Sequence, residues 1–330
     1  MNELIRTLTQ AWGPTSYEDG IRELITRELD ELHLEYKVDA LGNLIYRLPA
    51  PGKPKLLLSA HMDQIGIIVT HIDKDGFLRF GAVGGLDPYK VLGQRFVFAN
   101  GTIGVAAVES KERTTLEHLT LEKLFLDIGA ASHDEAAERV AIGDFAVYSG
   151  ACTQVGGRVT SAALDDRIGC YVLIEALRAT EGRELNYEVY GMFSVQEEIG
   201  IKGARVGAWG VQPDVAIALD VTAWGDTPES YVLDIGLGKG PAIKVKDAGM
   251  IATPVVRDLL IETARNHGIP FQLEVLQGGT TDAAAIQVNG SGVPTGAISI
   301  PDRYVHSSSE MVDLGDVEGC IKLLTAVLLK

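Results

Sequence analysis

Two adjacent carboxylates, Glu197 and Glu198, end the apolar run Phe193-Ser194-Val195-Gln196 and are followed by Ile199-Gly200. Neighbouring acids repel one another and are costly to bury unless a cation or a bound proton compensates. On a solvated turn the pair needs no explanation, so its meaning depends on what the rest of the chain delivers beside it. Three other β-like runs deliver groups that bind hard metals. Lys55–Ala60 leads into His61-Met62-Asp63, Val215–Leu219 ends in Asp220, and the run 296–300 is followed by Pro301-Asp302-Arg303-Tyr304-Val305-His306. Asp165-Asp166 opens a helical stretch, and Asp165 alone reads most simply as a helix N-cap. Five such coincidences at corresponding ends read most economically as one imidazole and carboxylate cluster. Two imidazoles and three carboxylates are too many ligands for one open tetrahedral ion. They suit two ions about 3.5–4 Å apart that share a carboxylate. Hydrolysis by a metal-activated water follows from such a pair, and it needs a base, which one glutamate of the pair can supply while the other binds metal.

The elements that must position these groups read as α/β. Lys55–Ala60 is apolar on both faces, as a strand buried inside a mostly parallel sheet is, and its C-terminal end is where open α/β sheets bind ligands. Leu4, Ile5 and Leu8, then Ile21, Leu24, Ile25 and Leu29, recur at helical spacing and predict two opening helices. Ser16 and Asp19 resemble a capping box, which places the second helix start near Tyr17. From residue 70 to 160 the pattern changes to short β runs between turns such as Asp73-Lys74-Asp75-Gly76 and Ala99-Asn100-Gly101. One helix near Ser132–Val140 interrupts them, with a Ser132/Glu135 capping box. This predicts a small inserted β domain, with 1–69 and 161–330 forming the catalytic α/β domain. His71, His118 and His133 lack acidic partners at ligand spacing, and His33 and His267 fall at helix ends.

With 330 residues the chain can bury a large core, and its formal charge of −16 offers no basic stripe for nucleic acid or an anionic membrane. No apolar run reaches membrane-spanning length, and the start lacks a secretory pattern, so a cytoplasmic location is expected. Cys152, Cys170 and Cys320 are odd in number and widely spaced, which argues against disulfides and a thiolate metal site.

The motifs Ala60-His61-Met62-Asp63, Leu164-Asp165-Asp166-Arg167-Ile168-Gly169, Gln196-Glu197-Glu198-Ile199-Gly200, Ala218-Leu219-Asp220-Val221-Thr222 and Arg303-Tyr304-Val305-His306-Ser307 resemble the M42 family of metallo-aminopeptidases, over essentially the full length and in the same order. That family includes glutamyl, leucyl and deblocking aminopeptidases and TET-like peptidases. The resemblance implies His61 and Asp220 on one metal, Glu198 and His306 on the other, and Asp165 bridging them. It also implies Glu197 as general base and Asp63 as the group that orients His61. Implied cofactors are two divalent ions per subunit, Zn²⁺ or Co²⁺ first and Mn²⁺ next. The implied fold is a phosphorylase/hydrolase-like α/β domain, with a mixed central sheet flanked by helices and an inserted β-barrel-like domain used in dimerisation. Short peptides are the implied substrates, and dimers assembling into a tetrahedral homododecamer the implied quaternary state. One departure is Gln64, where the family usually has Glu. The loop Gly278-Gly279-Thr280-Thr281-Asp282 resembles a pocket element of the family, so Gln64, Thr280, Thr281 and Asp282 are carried as substrate contacts.

Other chemistries remain in view. A deacylase of N-acylated amino acids or peptides shares the metal chemistry. A glycosidase such as an endoglucanase is disfavoured, because Glu197 and Glu198 are chain neighbours and do not naturally flank a sugar at ~5–9.5 Å. A scaffold that has lost catalysis is disfavoured by the completeness of the ligand set.

Overall fold

The computed structural model describes residues 2–109, 117–230 and 232–330. Two helices open the chain, α1 (Glu3–Gln10) and α2 (Asp19–Leu29). The hairpin β1 (Glu35–Val38) and β2 (Leu44–Leu48) then leads into β3 (Lys55–His61). Asn2 caps α1 by accepting from the Leu4 N–H. The expected capping box of α2 does not form: Ser16 is left-handed at φ 74° and donates its N–H to Glu18, so the helix begins at Asp19 without a side-chain cap.

Six strands among the described residues then close into a barrel. They are β4 (Gly66–Ile72), β5 (Leu78–Val83), β6 (Arg95–Phe98), β7 (Ile103–Val108), β8 (Leu124–Asp127) and β9 (Phe145–Tyr148), in the spatial order β4-β5-β8-β7-β6-β9. Inward residues such as Ile67, Leu78, Phe96, Leu126 and Ala146 give the barrel its own core. Two short helices decorate it, α3 (Pro88–Val91) and α4 (His133–Ala137). Ser132 caps α4 by accepting from the Glu135 N–H, and Glu135 reaches back to the Ala131 N–H. The hairpin β10 (Thr153–Val155) and β11 (Arg158–Ser161) lies outside the barrel and joins the large sheet. Of the stretch 70–160 expected as an insert, residues 110–116 lie outside the described residues.

The remaining elements are α5 (Leu164–Ala179), β12 (Glu188–Ser194), α6 (Lys202–Val211), β13 (Val215–Thr222), β14 (Ala242–Lys246), α7 (Pro254–Asn266), β15 (Gln272–Val275), α8 (Asp282–Gln287), β16 (Thr295–Arg303), β17 (Glu310–Asp313) and α9 (Leu314–Leu328). The large mixed sheet runs β1-β2-β12-β3-β13-β16-β17-β11-β10, with β14 and β15 branching from β16. Its centre, β12-β3-β13-β16, is parallel throughout. Alternation within β3 shows why: Leu56 and Leu58 enter the core shared with α1, α2, α5, α7 and α9, whereas Leu57 enters the opposite core with α6 and α8. Each such leucine contributes roughly 1.5–3 kcal/mol by burial, which fixes the register of the strand that ends in His61. β12 and β13 lie on opposite sides of β3, so the chain reverses its direction of travel there. A crevice opens above the C-terminal ends of these strands.

Candidate metal centre

His61 is the last residue of β3, and its side chain is buried. Its Nε2 lies 3.0 Å from Asp165 Oδ1 and 3.9 Å from Asp220 Oδ1. His306, three residues beyond β16, places Nε2 3.3 Å from Asp165 Oδ2 and 3.4 Å from Glu198 Oε2. The two oxygens of Asp165 therefore face two different imidazoles, with Asp220 beside one and Glu198 beside the other.

The local backbone explains this placement. Ala163 is left-handed and Asp165 and Asp166 are non-helical, so the regular turns of α5 start only after Asp166. Asp166, rather than Asp165, acts as the cap: its Oδ1 accepts from the Gly169 N–H at 3.1 Å and its Oδ2 from the His61 N–H at 3.2 Å. The Asp165 carboxylate is thereby left to the cavity. Its own N–H donates to Glu310 Oε2 at 3.0 Å, and Glu310 Oε1 accepts from the His306 N–H at 2.8 Å. One buried glutamate at the start of β17 thus ties the backbones of two candidate ligands together. Five of the nine left-handed non-glycine residues among those described lie at the site, namely Ala163, Gln196, Ile201, Tyr304 and His306. Such conformations persist only where their surroundings over-determine them.

Asp63 is a second anchor, with no solvent exposure. Its Oδ1 lies 3.4 Å from His61 Nδ1 and accepts from the Glu197 N–H at 3.0 Å. Its Oδ2 accepts from Thr15 Oγ1 at 2.7 Å and from the Glu198 N–H at 3.3 Å. Buried Glu18 accepts from the Gln196 N–H at 3.2 Å, so three consecutive amides of the glutamate turn are held by carboxylates from elsewhere in the chain.

Electrostatics follow from burial of so many acids. Burial favours neutral imidazoles, yet hydrogen bonds to Asp165 and Asp63 hold His61 well above its usual range. Against the same burial, Asp165 and Glu198 push His306 up to about 12. Asp165 is held below the ordinary carboxylate range: burial opposes this, but both imidazoles stabilise its charge. Burial raises Glu197, Glu198 and Asp220, with neighbouring acids adding to the effect. A cation among these groups relieves that repulsion.

The donor set fits divalent ions. Ligand atoms of His61, Asp165 and Glu198 lie within 4.8 Å of one another, as do those of His61, Asp166 and Asp220. Glu198 Oε1 is buried without a hydrogen-bond partner, an acceptor of the kind a cation satisfies. Imidazole nitrogens with carboxylate oxygens, and no thiolate, match Zn²⁺, Co²⁺ or Mn²⁺.

These groups form one wall of a cavity of about 790 Å³, which Glu197 also lines. Thr280 lines the same cavity. Thr281 is instead the N-cap of α8, and Asp282 lies buried beneath the site, accepting from the hydroxyls of Ser59 and Ser194. Gln64 is directed away: its Nε2 donates to the Ala11 carbonyl at 3.1 Å, and it lines a separate cavity beside Trp12. His71, His118 and His133 are exposed, outside this cavity. Sequence reasoning missed Glu310, Glu18, Thr15 and the wall residue Lys244. The stretch Ser307-Ser308-Ser309-Glu310 reads locally as a solvated turn, and Thr15 and Glu18 carry no signal that connects them to residues so distant.

Known proteins resemble this chain in sequence and fold. A family model of M42 glutamyl aminopeptidase matches residues 42–323. The lysyl aminopeptidase of Pyrococcus furiosus is 37% identical, covering 99% of this chain and 96% of its own. The structure of an aminopeptidase from the archaeon Desulfurococcus kamchatkensis superposes with a TM-score of 0.94 at 38% identity, covering 99% of this chain and 94% of that one. The Pyrococcus horikoshii TET1 peptidase, described as able to assemble into a tetrahedron or a large octahedral shell, superposes at 0.89 with 37% identity, covering 99% of both chains. With the family matched over most of its length, this chain belongs to the M42 glutamyl aminopeptidase family and is a peptide hydrolase.

Proposed function

We propose that this protein is a dinuclear-metal aminopeptidase that removes the first residue from short peptides. The observation that carries the reading is the Asp165 carboxylate, whose oxygens face His61 and His306 at 3.0 and 3.3 Å. In this reading His61 and Asp220 would hold one ion and Glu198 and His306 the other, with Asp165 contributing to the same set. Two divalent ions, Zn²⁺ or Co²⁺ with Mn²⁺ as a third candidate, would supply carbonyl polarisation and a water acidified toward a pKa of ~7. Asp63 fixes the ring of His61 and, through the Glu197 and Glu198 amides, the turn beside it. Glu197 takes the proton of the attacking water and returns it to the departing amine. Its carboxylate lines the cavity and forms no hydrogen bond or ion pair among the described residues, so it is free to move a proton.

The test is metal content and turnover together. After incubation with Zn²⁺, Co²⁺ or Mn²⁺ the protein should hold two ions per chain and hydrolyse fluorogenic aminoacyl substrates. Failure on every free-amine substrate, with hydrolysis of blocked ones, would make it a deacylase instead. Glu197→Gln should keep both ions and lose at least about 100-fold in kcat. Near-normal turnover would remove Glu197 from the role.

The same reading includes assembly. The catalytic unit expected over 1–69 and 161–330 and the insert expected over 70–160 shift at their edges, because β4 begins in the barrel at Gly66 and β10 and β11 join the large sheet; in this reading the barrel pairs subunits into dimers and these into a tetrahedral dodecamer. Exposed Tyr89, Ile103, Val105 and Ile142 on and around the barrel give that contact apolar surface. Light scattering should report a dodecamer mass, and a stable monomer at micromolar concentration would refute it.

A further inference from the structure

If the cavity takes the first residue of a peptide, its far wall determines which side chains fit. Lys244 on β14 lines that wall and is almost fully buried. Its Nζ lies 2.6 Å from Glu274 Oε1 and 3.4 Å from Asp247 Oδ2. Both acids are buried, and neither lines the cavity; they grip the lysine from behind. Burial alone would favour a neutral amine, but the two carboxylates keep it charged. One cation between two anions leaves the triad with a net charge of −1 when both acids are ionised. Away from the candidate ligands and Glu197 the rest of the lining carries no formal charge: aliphatic Ile201, Val221, Leu233, Leu276 and Val305 predominate beside the uncharged polar Thr222, Gln277 and Thr280.

Each class of side chain can be weighed against these groups. An acidic side chain would meet the one ammonium among the described wall residues, already compensated twice over; the four carboxylates of the other wall would balance two divalent ions and offer an anion no further counter-charge, in a chain of net charge −16. A basic side chain would need a carboxylate presented to the cavity, yet Glu274 and Asp247 are turned away. The acids that do face it are those assigned to the ions and to proton transfer. An uncharged aliphatic side chain needs no partner and covers apolar wall. From the peptidase reading above, we infer that the enzyme selects peptides whose first residue is aliphatic, leucine being the type, and that Lys244 is a specificity-determining residue held silent by Glu274 and Asp247.

The test is a fluorogenic panel with leucyl, isoleucyl, methionyl, glutamyl, aspartyl, lysyl and arginyl substrates on the metal-loaded full-length protein. Leucine should exceed the charged residues by about 100-fold in kcat/KM. Turnover that favours glutamate or lysine would overturn this inference and leave the peptidase reading intact, whereas no hydrolysis of any substrate would overturn both. Glu274→Gln frees the ammonium and should lower the leucine-to-glutamate ratio at least about tenfold. Asp247→Asn releases charge through the second contact while keeping the Oδ1 acceptor used by the Gly249 and Met250 N–H groups, so it serves if the first variant folds poorly. An unchanged ratio in a folded variant would show that Lys244 does not face the substrate.

Discussion

Asp63→Asn tests whether His61 and the glutamate turn are held by one device. The wild-type carboxylate accepts from Thr15 Oγ1, the Glu197 N–H and the Glu198 N–H at 2.7, 3.0 and 3.3 Å, and approaches His61 Nδ1 at 3.4 Å. Two contacts fall on each oxygen, and asparagine keeps only one acceptor. Whichever way the amide turns, at least one backbone N–H of the glutamate turn faces an NH₂ group and loses its partner. Buried hydrogen bonds to a charged acceptor contribute about 1.5–3 kcal/mol each. With Thr15 able to rotate its hydroxyl and compensate in part, the loss is about 2–4 kcal/mol. For a chain of 330 residues that corresponds to a Tm lower by about 3–6 °C. Because the same change loosens His61 and the turn carrying Glu198, metal affinity or kcat/KM should fall about 10–100-fold. Thr15→Val is the control: it removes one contact, should cost about 1–3 kcal/mol, and should spare metal affinity. Competition against a chelator, calorimetry and steady-state kinetics read the three quantities. An Asp63→Asn protein whose metal affinity and kcat/KM lie within threefold of wild type would refute the coupling.

Gly85 is predicted to be intolerant, because a Cβ there would sit 2.8 Å from His306 Nδ1. Gly85→Ala should reduce metal content while the barrel stays folded, which circular dichroism and metal analysis would check; full occupancy would count against the assigned role of His306. Leu58→Ala in β3, whose side chain is fully buried, should cost about 2–5 kcal/mol in urea unfolding, and a loss under 1 would place the strand's packing in doubt. Burial raises the Asp316 carboxyl to about 6, although the Gly238 and Gly240 amides donate to it. A raised folded pKa gives stability that is full below the unfolded value near pH 4 and is lost as pH climbs through about 6. The wild-type urea midpoint should therefore fall relative to that of Asp316→Asn across that interval, and a constant difference would refute it.

The parallel centre of the sheet was legible because β3 and β13 are apolar on both faces, a pattern that few other environments produce. The break from apolar run to polar residue in the same stretches marked His61 and Asp220. The identity of the cap at α5 was not legible, since Asp165 and Asp166 are chemically alike and it is the non-helical backbone from Ala163 to Asp166 that separates their directions. Ser16 misled for a related reason: its spacing to Asp19 suits a capping box, but Thr15 is drawn to Asp63 and turns the backbone before the helix. The direction of a side chain such as Gln64, or the burial of Asp282 beneath two serines, depends on packing between segments far apart in the chain. No local period records it.

The contacts of Glu310 have a consequence in time. The groups gathered at the cavity are drawn from His61 to His306, and Glu310, which ties the backbones of Asp165 and His306 together, comes later still. During synthesis β3 and β12 can emerge and pair, yet no fragment ending before β17 contains the complete constellation. Hydrolytic competence therefore requires nearly the whole polypeptide: a chain that stops short of β17 holds only part of the constellation and lacks the glutamate that joins its two ends.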